Sequence, residues 1–276
     1  IQMTLRRTLI AWFAAISGRV WLTLLAKVTE MAFPWPEVGT PLADVMTPMP
    51  VIDEHRMARN IARAQTYMNS IGRAFRPHIK THKLASVAQM QIDHGAVGIN
   101  CQKVTEAEAF ADAGFADILI TYNILGATKL ARLRALNDRL QVLRVVADSE
   151  TTVTGLAAAF SAARPLRVLV ECDTGGGRVG VQTPAAAVAL ARAISTHPGL
   201  RFDGLLTYPA VGGAARVEAF LSETMAGLAA VGLACPVRSN GGSPDLWQAH
   251  LVPSATEHRA GTYVYNDRSM VRAGEC

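Results

Sequence analysis

The segment Arg76-Pro77-His78-Ile79-Lys80-Thr81-His82-Lys83 crowds two lysines and two histidines at the end of a strand-like pattern. An amine held among such groups can be kept neutral or can hold an anion beside it. A neutral lysine amine is the nucleophile of Schiff-base chemistry with an aldehyde. A solvated basic rim would contain the same residues. His78 and His82 flank Lys80 at i−2 and i+2, so they share its face if the strand extends that far; if it ends at Lys80, His82 turns away into the loop. Neither is assigned to a metal.

Three more segments carry groups of the right kind. Glu171-Cys172-Asp173-Thr174-Gly175-Gly176-Gly177-Arg178-Val179-Gly180 follows the run Arg167-Val168-Leu169-Val170. Its glycines let the backbone turn sharply, which can aim the single Arg178 back over the strand ends. Ser239-Asn240-Gly241-Gly242-Ser243 and Arg259-Ala260-Gly261-Thr262-Tyr263 offer glycine amides and small hydroxyls. Such groups cradle an oxyanion, although either segment alone also reads as a plain turn.

The elements that must position these residues alternate along the chain. Candidate strands end near Lys80, Gln102, Asn123, Asp148, Asp173, Tyr208, Ser243 and Tyr265. Helical spacing runs from Met57 to Ile71, Leu84 to His94, Glu106 to Ala113, Pro184 to Thr196 and Val217 to Val231. Strands alternating with helices predict an α/β fold, a (β/α)8 TIM-like barrel, with its active site at the C-terminal strand ends.

Composition narrows the partners. The 276 residues, half of them hydrophobic, are enough for one large domain. Of the net charge of +5, the first thirty residues hold +3 through Arg6, Arg7, Arg19 and Lys27 against Glu30. The remainder makes no case for a nucleic-acid partner. Four scattered cysteines without a CxxC pair signal neither a zinc cage nor a disulfide framework, and a cytoplasmic location is the default expectation. Residues 1–30 read as a non-native or targeting extension, poorly ordered or a loose helix, ahead of a barrel over 31–276. Arg6-Arg7 and the apolar stretch from Leu9 to Ile16 imitate a secretory signal. Arg19 breaks that stretch too early for a membrane span of ~20 residues.

The octapeptide around Lys80 resembles, nearly letter for letter, the lysine motif of the D-threonine aldolase and D-serine dehydratase family. These are fold-type III pyridoxal-phosphate enzymes, built on a barrel like the N-terminal part of alanine racemase. The resemblance implies that Lys80 carries pyridoxal 5'-phosphate as a Schiff base. It places Arg178 at the pyridine nitrogen, and Ser243, Gly242, Gly261 and Thr262 at the phosphate. Gln102 and Tyr208 match cofactor-contacting residues, Tyr208 with a hydroxyl able to bond the lysine or substrate; His78, read from its position alone, either orients the lysine's imine or satisfies a polar contact in the core. A guanidinium can only donate, so the ring nitrogen would stay unprotonated and the ring would be a weak electron sink.

The implied activity is a lyase cleaving D-configured β-hydroxy amino acids, such as D-threonine, to glycine and an aldehyde. The alternatives are a D-serine or 3-hydroxyaspartate dehydratase and a non-catalytic pyridoxal-phosphate barrel. Relatives carry Mn2+ or Zn2+ on a His-x-Asp or His-x-Cys pair in a β domain after the barrel. This chain has no such pair and stops at Cys276. The expectation is therefore a missing C-terminal β domain of ~100 residues, no metal site here, and a homodimer as in relatives. The run Thr207-Tyr208-Pro209-Ala210 departs from the Tyr-His-Gly or Tyr-Gln-Gly common in the aldolases, which bears on substrate preference.

Overall fold

A computed structural model describes residues 36–275 of the chain. The expected N-terminal extension, residues 1–30, lies outside them. The chain divides into two compact units at Val51 and Ile52. Of the first, residues 36–51 contain a short 3-10 turn, Leu42–Asp44.

The second unit contains eight parallel strands: β1 (Ala74–Phe75), β2 (Ile99–Cys101), β3 (Asp117–Ile120), β4 (Val142–Ala147), β5 (Leu166–Cys172), β6 (Leu200–Thr207), β7 (Val237–Gly241) and β8 (Glu257–Arg259). They pair in the order β1-β8-β7-β6-β5-β4-β3-β2. The two ends of that order meet through a bridge between His78 and Asn100, with the Asn100 amide donating to Pro77 O at 2.8 Å. The expected (β/α)8 barrel is thus the observed architecture.

Eight α-helices accompany the strands: α1 (Glu54–Ser70), α2 (Ala85–Asp93), α3 (Val104–Asp112), α4 (Ala127–Arg139), α5 (Glu150–Ala159), α6 (Pro184–Thr196), α7 (Ala214–Ala230) and α8 (Arg268–Ala273). α1 begins three residues earlier than its apolar spacing predicts, because Asp53 caps it by accepting from the Arg56 amide. α6 starts where expected, with Thr183 as cap and Pro184 in its first turn. α4, α5 and α8 were not among the segments named for their helical spacing. α4 buries only Leu133, Leu136 and Asn137, so its periodic signal is thin. The crossover after β7 is a 3-10 stretch, Leu246–Leu251, rather than an α-helix.

Two strand ends need correction. The ladder of β1 stops at Phe75, and Lys80 lies beyond it in a 3-10 turn, Ile79–Thr81. The last strand ends at Arg259, not near Tyr265; Thr262–Val264 winds into another 3-10 turn. In both places the apolar pattern continues past the strand because the turn residues Ile79, Tyr263 and Val264 are themselves buried.

Alternation along β5 sorts its residues between the two faces of the barrel wall. Leu166, Val168, Val170 and Cys172 join the large apolar layer under the helices. Leu169 packs with Leu119, Val146 and Leu206 in a separate inner cluster. Arg167 and Glu171 share the parity of Leu169, one residue pair toward each end.

Near the strands' N-terminal ends the charges form a network. Arg76 pairs with Glu257 at 3.1 Å and Asp117 at 2.7 Å, and Arg144 pairs with Asp117 at 3.2 Å and Asp203 at 2.7 Å. Asp203, 1% exposed, is the extra residue of an irregularity in the β5–β6 register and also faces Arg167 and Arg201.

Removing one partner from a buried ionic group leaves the others uncompensated, which costs more than the pair contributes. Asp203→Ala is expected to lower stability by roughly 3 kcal/mol. Urea denaturation checks this: the midpoint falls, whereas an unchanged midpoint would mean that solvent already satisfies the arginines.

Candidate active site

At the C-terminal ends of the strands lies a cavity of about 270 Å³. The nine residues singled out in the sequence, His78, Lys80, Gln102, Arg178, Tyr208, Gly242, Ser243, Gly261 and Thr262, all line it. They come from six strand ends spread along the chain, and barrel closure is what brings them together.

Lys80 projects from its 3-10 turn because His78 caps that turn. The buried His78 accepts the Lys80 amide through Nδ1 at 3.3 Å. Burial, with Lys80 and Arg259 nearby, holds His78 well below the usual histidine range, so the ring is neutral. With Nδ1 accepting, its proton belongs on Nε2, which has no hydrogen-bond partner among the described residues. The Lys80 amine is itself held below the ordinary lysine range, by burial first and then by the positive Arg178 and Arg259, with Glu106 opposing. His82 does not line the cavity. Its Nδ1 accepts the Leu84 amide at 3.1 Å in the following loop, so of the two arrangements open in the sequence, the turn is the one realised.

The glycine loop after β5 closes on itself. Asp173 N donates to Val181 O and Val181 N to Glu171 O, at 3.0 and 2.9 Å. The Asp173 carboxylate accepts the amides of Gly175 and Gly177. Gly180 completes the closure at φ +119°, where a Cβ would stand 2.5 Å from Asp173 N. Arg178 is exposed on this loop, its guanidinium 5.3 Å from the ring centre of Tyr208, itself 43% exposed.

Opposite, the amides of Gly261 and Thr262 converge on Ser243 Oγ at 3.1 and 3.0 Å. Gly261 is required by space: a Cβ there would lie 2.8 Å from Thr81 Oγ1 and 2.9 Å from His78 O. The turn holding Lys80 therefore packs directly on this pair of amides.

Three wall residues were not among the sequence candidates. Arg259 is 5% exposed and donates to Ser239 Oγ, Asn240 O and Thr207 O. Burial draws it down to about 10, so it remains a cation at neutral pH. Glu171 is 4% exposed, with Oε2 unpartnered. Asn100 donates to Thr121 Oγ1 and leaves Oδ1 unpartnered. Arg259 and Glu171 lie inside segments quoted for their glycines, and the alternation of β5 and β8 was the signal that would have turned them inward.

These features fit an anionic, polar aldehyde such as pyridoxal 5'-phosphate. A lysine amine biased toward neutrality, two guanidiniums, converging backbone amides and unpartnered buried polar atoms share one cavity. A divalent metal finds no such fit: among the described residues no group of three or more His, Cys, Asp or Glu could hold one. No helix among them is long and apolar enough to cross a membrane.

A closed parallel barrel with a lysine-bearing polar mouth defines a class, and comparison with known proteins agrees with it. The family model for alanine racemase, N-terminal domain, matches residues 52–269, and the chain belongs to this family, that of the fold-type III pyridoxal-phosphate barrels. It is 35% identical to D-threo-3-hydroxyaspartate dehydratase of a Delftia species over 83% of this chain and 64% of that protein. It is 34% identical to D-threonine aldolase of an Arthrobacter species over 87% of this chain and 66% of that protein. The crystal structure of D-threonine aldolase from Filomicrobium marinum superposes with a TM-score of 0.79 at 33% identity, covering 84% of this chain and 65% of that one. The chain thus spans about two thirds of the length of these relatives.

Burial raises the Glu171 carboxyl to about 7, with Arg259 opposing and Asp148 adding. Between the ordinary carboxylate value near 4.5 and about 7, the folded protein holds a proton that the unfolded chain has released. Its contribution to stability therefore falls as pH rises through that window. His82 and His258, both drawn down to about 4 by burial, act in the opposite direction, so the readout is a difference. Relative to Glu171→Gln, the wild type is expected to lose on the order of 2–3 kcal/mol between pH 5 and 8. Chemical denaturation across that range measures it, and parallel curves would show that Glu171 is already ionised at pH 5.

Proposed function

We propose that the protein is a pyridoxal-phosphate-dependent lyase acting on D-configured β-hydroxy amino acids, cleaving D-threonine-like substrates to glycine and an aldehyde. The observation that carries this reading is one cavity lined by Lys80, Arg178 and Arg259 together with Gly261 and Thr262, whose amides converge on Ser243 Oγ. Family membership and similarity to a D-threonine aldolase support it.

When bound, pyridoxal 5'-phosphate supplies a conjugated electron sink for the bond that breaks at the substrate's α-carbon. Lys80 Nζ is the attachment point, and His78 fixes its turn. The amides of Gly261 and Thr262, with the Ser243 hydroxyl and the backbone at Gly242, bind the phosphate. Arg178 is the ring-nitrogen donor by resemblance; Arg259, buried and rigidly bonded, is a second guanidinium able to donate there. Gln102 and Tyr208 border the cofactor, and the Tyr208 hydroxyl can bond Lys80 or the substrate. The partner is a small D-amino acid, with a homodimer and a cytoplasmic location as further parts of the proposal.

A second reading, D-serine or 3-hydroxyaspartate dehydratase, is favoured by the 35% identity to the Delftia enzyme, against 34% to the aldolase. In it Lys80 Nζ takes the α-proton and hydroxide leaves the β-carbon.

Borohydride reduction of the holoprotein followed by peptide mass spectrometry is expected to place a pyridoxyl adduct on Lys80. In Lys80→Ala the adduct and the visible absorbance disappear and turnover falls on the order of 10³-fold or more. Glycine and acetaldehyde from D-threonine identify the aldolase; pyruvate and ammonia from D-serine identify the dehydratase. An adduct on Lys83 instead would overturn the assignment.

A further inference from the structure

The barrel is closed between β1 and β2 by less than any other pair of neighbours. Seven strand pairs form ladders, whereas here a single bridge joins His78 and Asn100, with two amide bonds, from Val97 to Phe75 O and from Asn100 to Pro77 O. Lys80 and Gln102 stand just beyond this seam, one on each side of it.

One side chain spans the gap above the bridge. Glu106, in the first turn of α3 and 8% exposed, accepts the Gln102 backbone amide through Oε2 at 2.9 Å. Its Oε1 meets Lys83 Nζ at 2.9 Å. Lys83 is reached by a backbone in the left-handed region, φ +55°, three residues after Lys80. A non-glycine residue takes that conformation at a cost, so surrounding contacts must sustain it. Both oxygens of one carboxylate are therefore committed, one to the lysine turn and one to the strand end that carries Gln102. The same carboxylate is the negative group that opposes the lowering of the Lys80 amine.

We propose that Glu106 is a positioning residue that staples the Lys80 turn to the Gln102 strand end across the closure seam and sets the charge against which Lys80 reacts. It touches neither substrate nor cofactor in this role; it acts through Lys80, Lys83 and Gln102. The inference rests on the reading of Lys80 as the cofactor-bearing amine for its charge-setting part, while the staple stands on geometry alone.

Two substitutions separate the parts. Glu106→Gln keeps an acceptor for the Gln102 amide but removes the charge. Titrating the apo-protein with pyridoxal 5'-phosphate at a series of pH values follows the borohydride-sensitive imine band. Since Glu106 favours protonated Lys80, its neutralisation is expected to move the midpoint of imine formation to lower pH. Glu106→Ala also removes the acceptor, and amide hydrogen exchange at Gln102 and across residues 79–83 is expected to speed up about tenfold or more. Lys83→Met, which leaves the Gln102 bond intact, should accelerate exchange in the Lys80 turn alone.

If wild type carries the adduct on Lys80 and Glu106→Gln has the same midpoint, the charge-setting role is wrong. Unchanged exchange in Glu106→Ala overturns the staple, whatever the cofactor does. No adduct in the wild type defeats the functional reading instead, and the exchange measurement still decides the staple.

Discussion

A parallel sheet exposes unpaired amides and carbonyls at its two outer strands, and closure into a barrel removes both edges at once. In this chain the join between β1 and β2 is the constraint on which the site depends, because the Lys80 turn and the Gln102 strand end meet there. The bridge at His78 and Asn100 uses a residue that also caps the lysine turn. One histidine thus ties sheet closure to the direction of Lys80. Gly261 adds a second tie, since its missing side chain lets the amide pair approach the carbonyl of His78.

The interior of the barrel is graded along its axis. Ion pairs fill the end near the strand starts, a small apolar cluster of Leu119, Val146, Leu169 and Leu206 occupies the middle, and the polar cavity opens above. The order has a physical rationale. Buried charges need partners, and the lower layer supplies them in a connected set that reaches the cavity wall through Ser239 Oγ, which donates to Glu257 and accepts from Arg259. In the wall, Arg259 is fixed by a hydroxyl and two carbonyls, with no carboxylate within ion-pair distance among the described residues, while Glu257 and Glu171 act on its charge from farther away.

That electrostatic setting unites the lysine and the oxyanion cradle. Arg178 and Arg259 disfavour a proton on Lys80 and favour an anion beside it, and a phosphorylated aldehyde uses both effects. Glu106 is engaged by Lys83 and the Gln102 amide, whereas Glu171, with an unpartnered oxygen and no ion pair among the described residues, is driven toward its neutral form by burial.

Local pattern made much of this legible. Alternating strands and helices predict the barrel, because period-two and helical spacing reflect burial of one face at a time. The lysine, arginine, serine and glycine motifs are short and contiguous, so seven of the nine residues stood in them before any contact was known, while Gln102 and Tyr208 were named through the family resemblance. What spacing could not convey was where each strand stops: buried turn residues such as Ile79 and Tyr263 prolong the apolar signal past the last ladder bond. Nor could it bring out Arg259 and Glu171, whose inward direction follows from strand parity, or Glu106, which acquires its role only when α3 is set beside the Lys80 turn. Residue chemistry was written in the chain. Proximity, burial and the resulting charge states arose only when closure brought distant strand ends around one cavity.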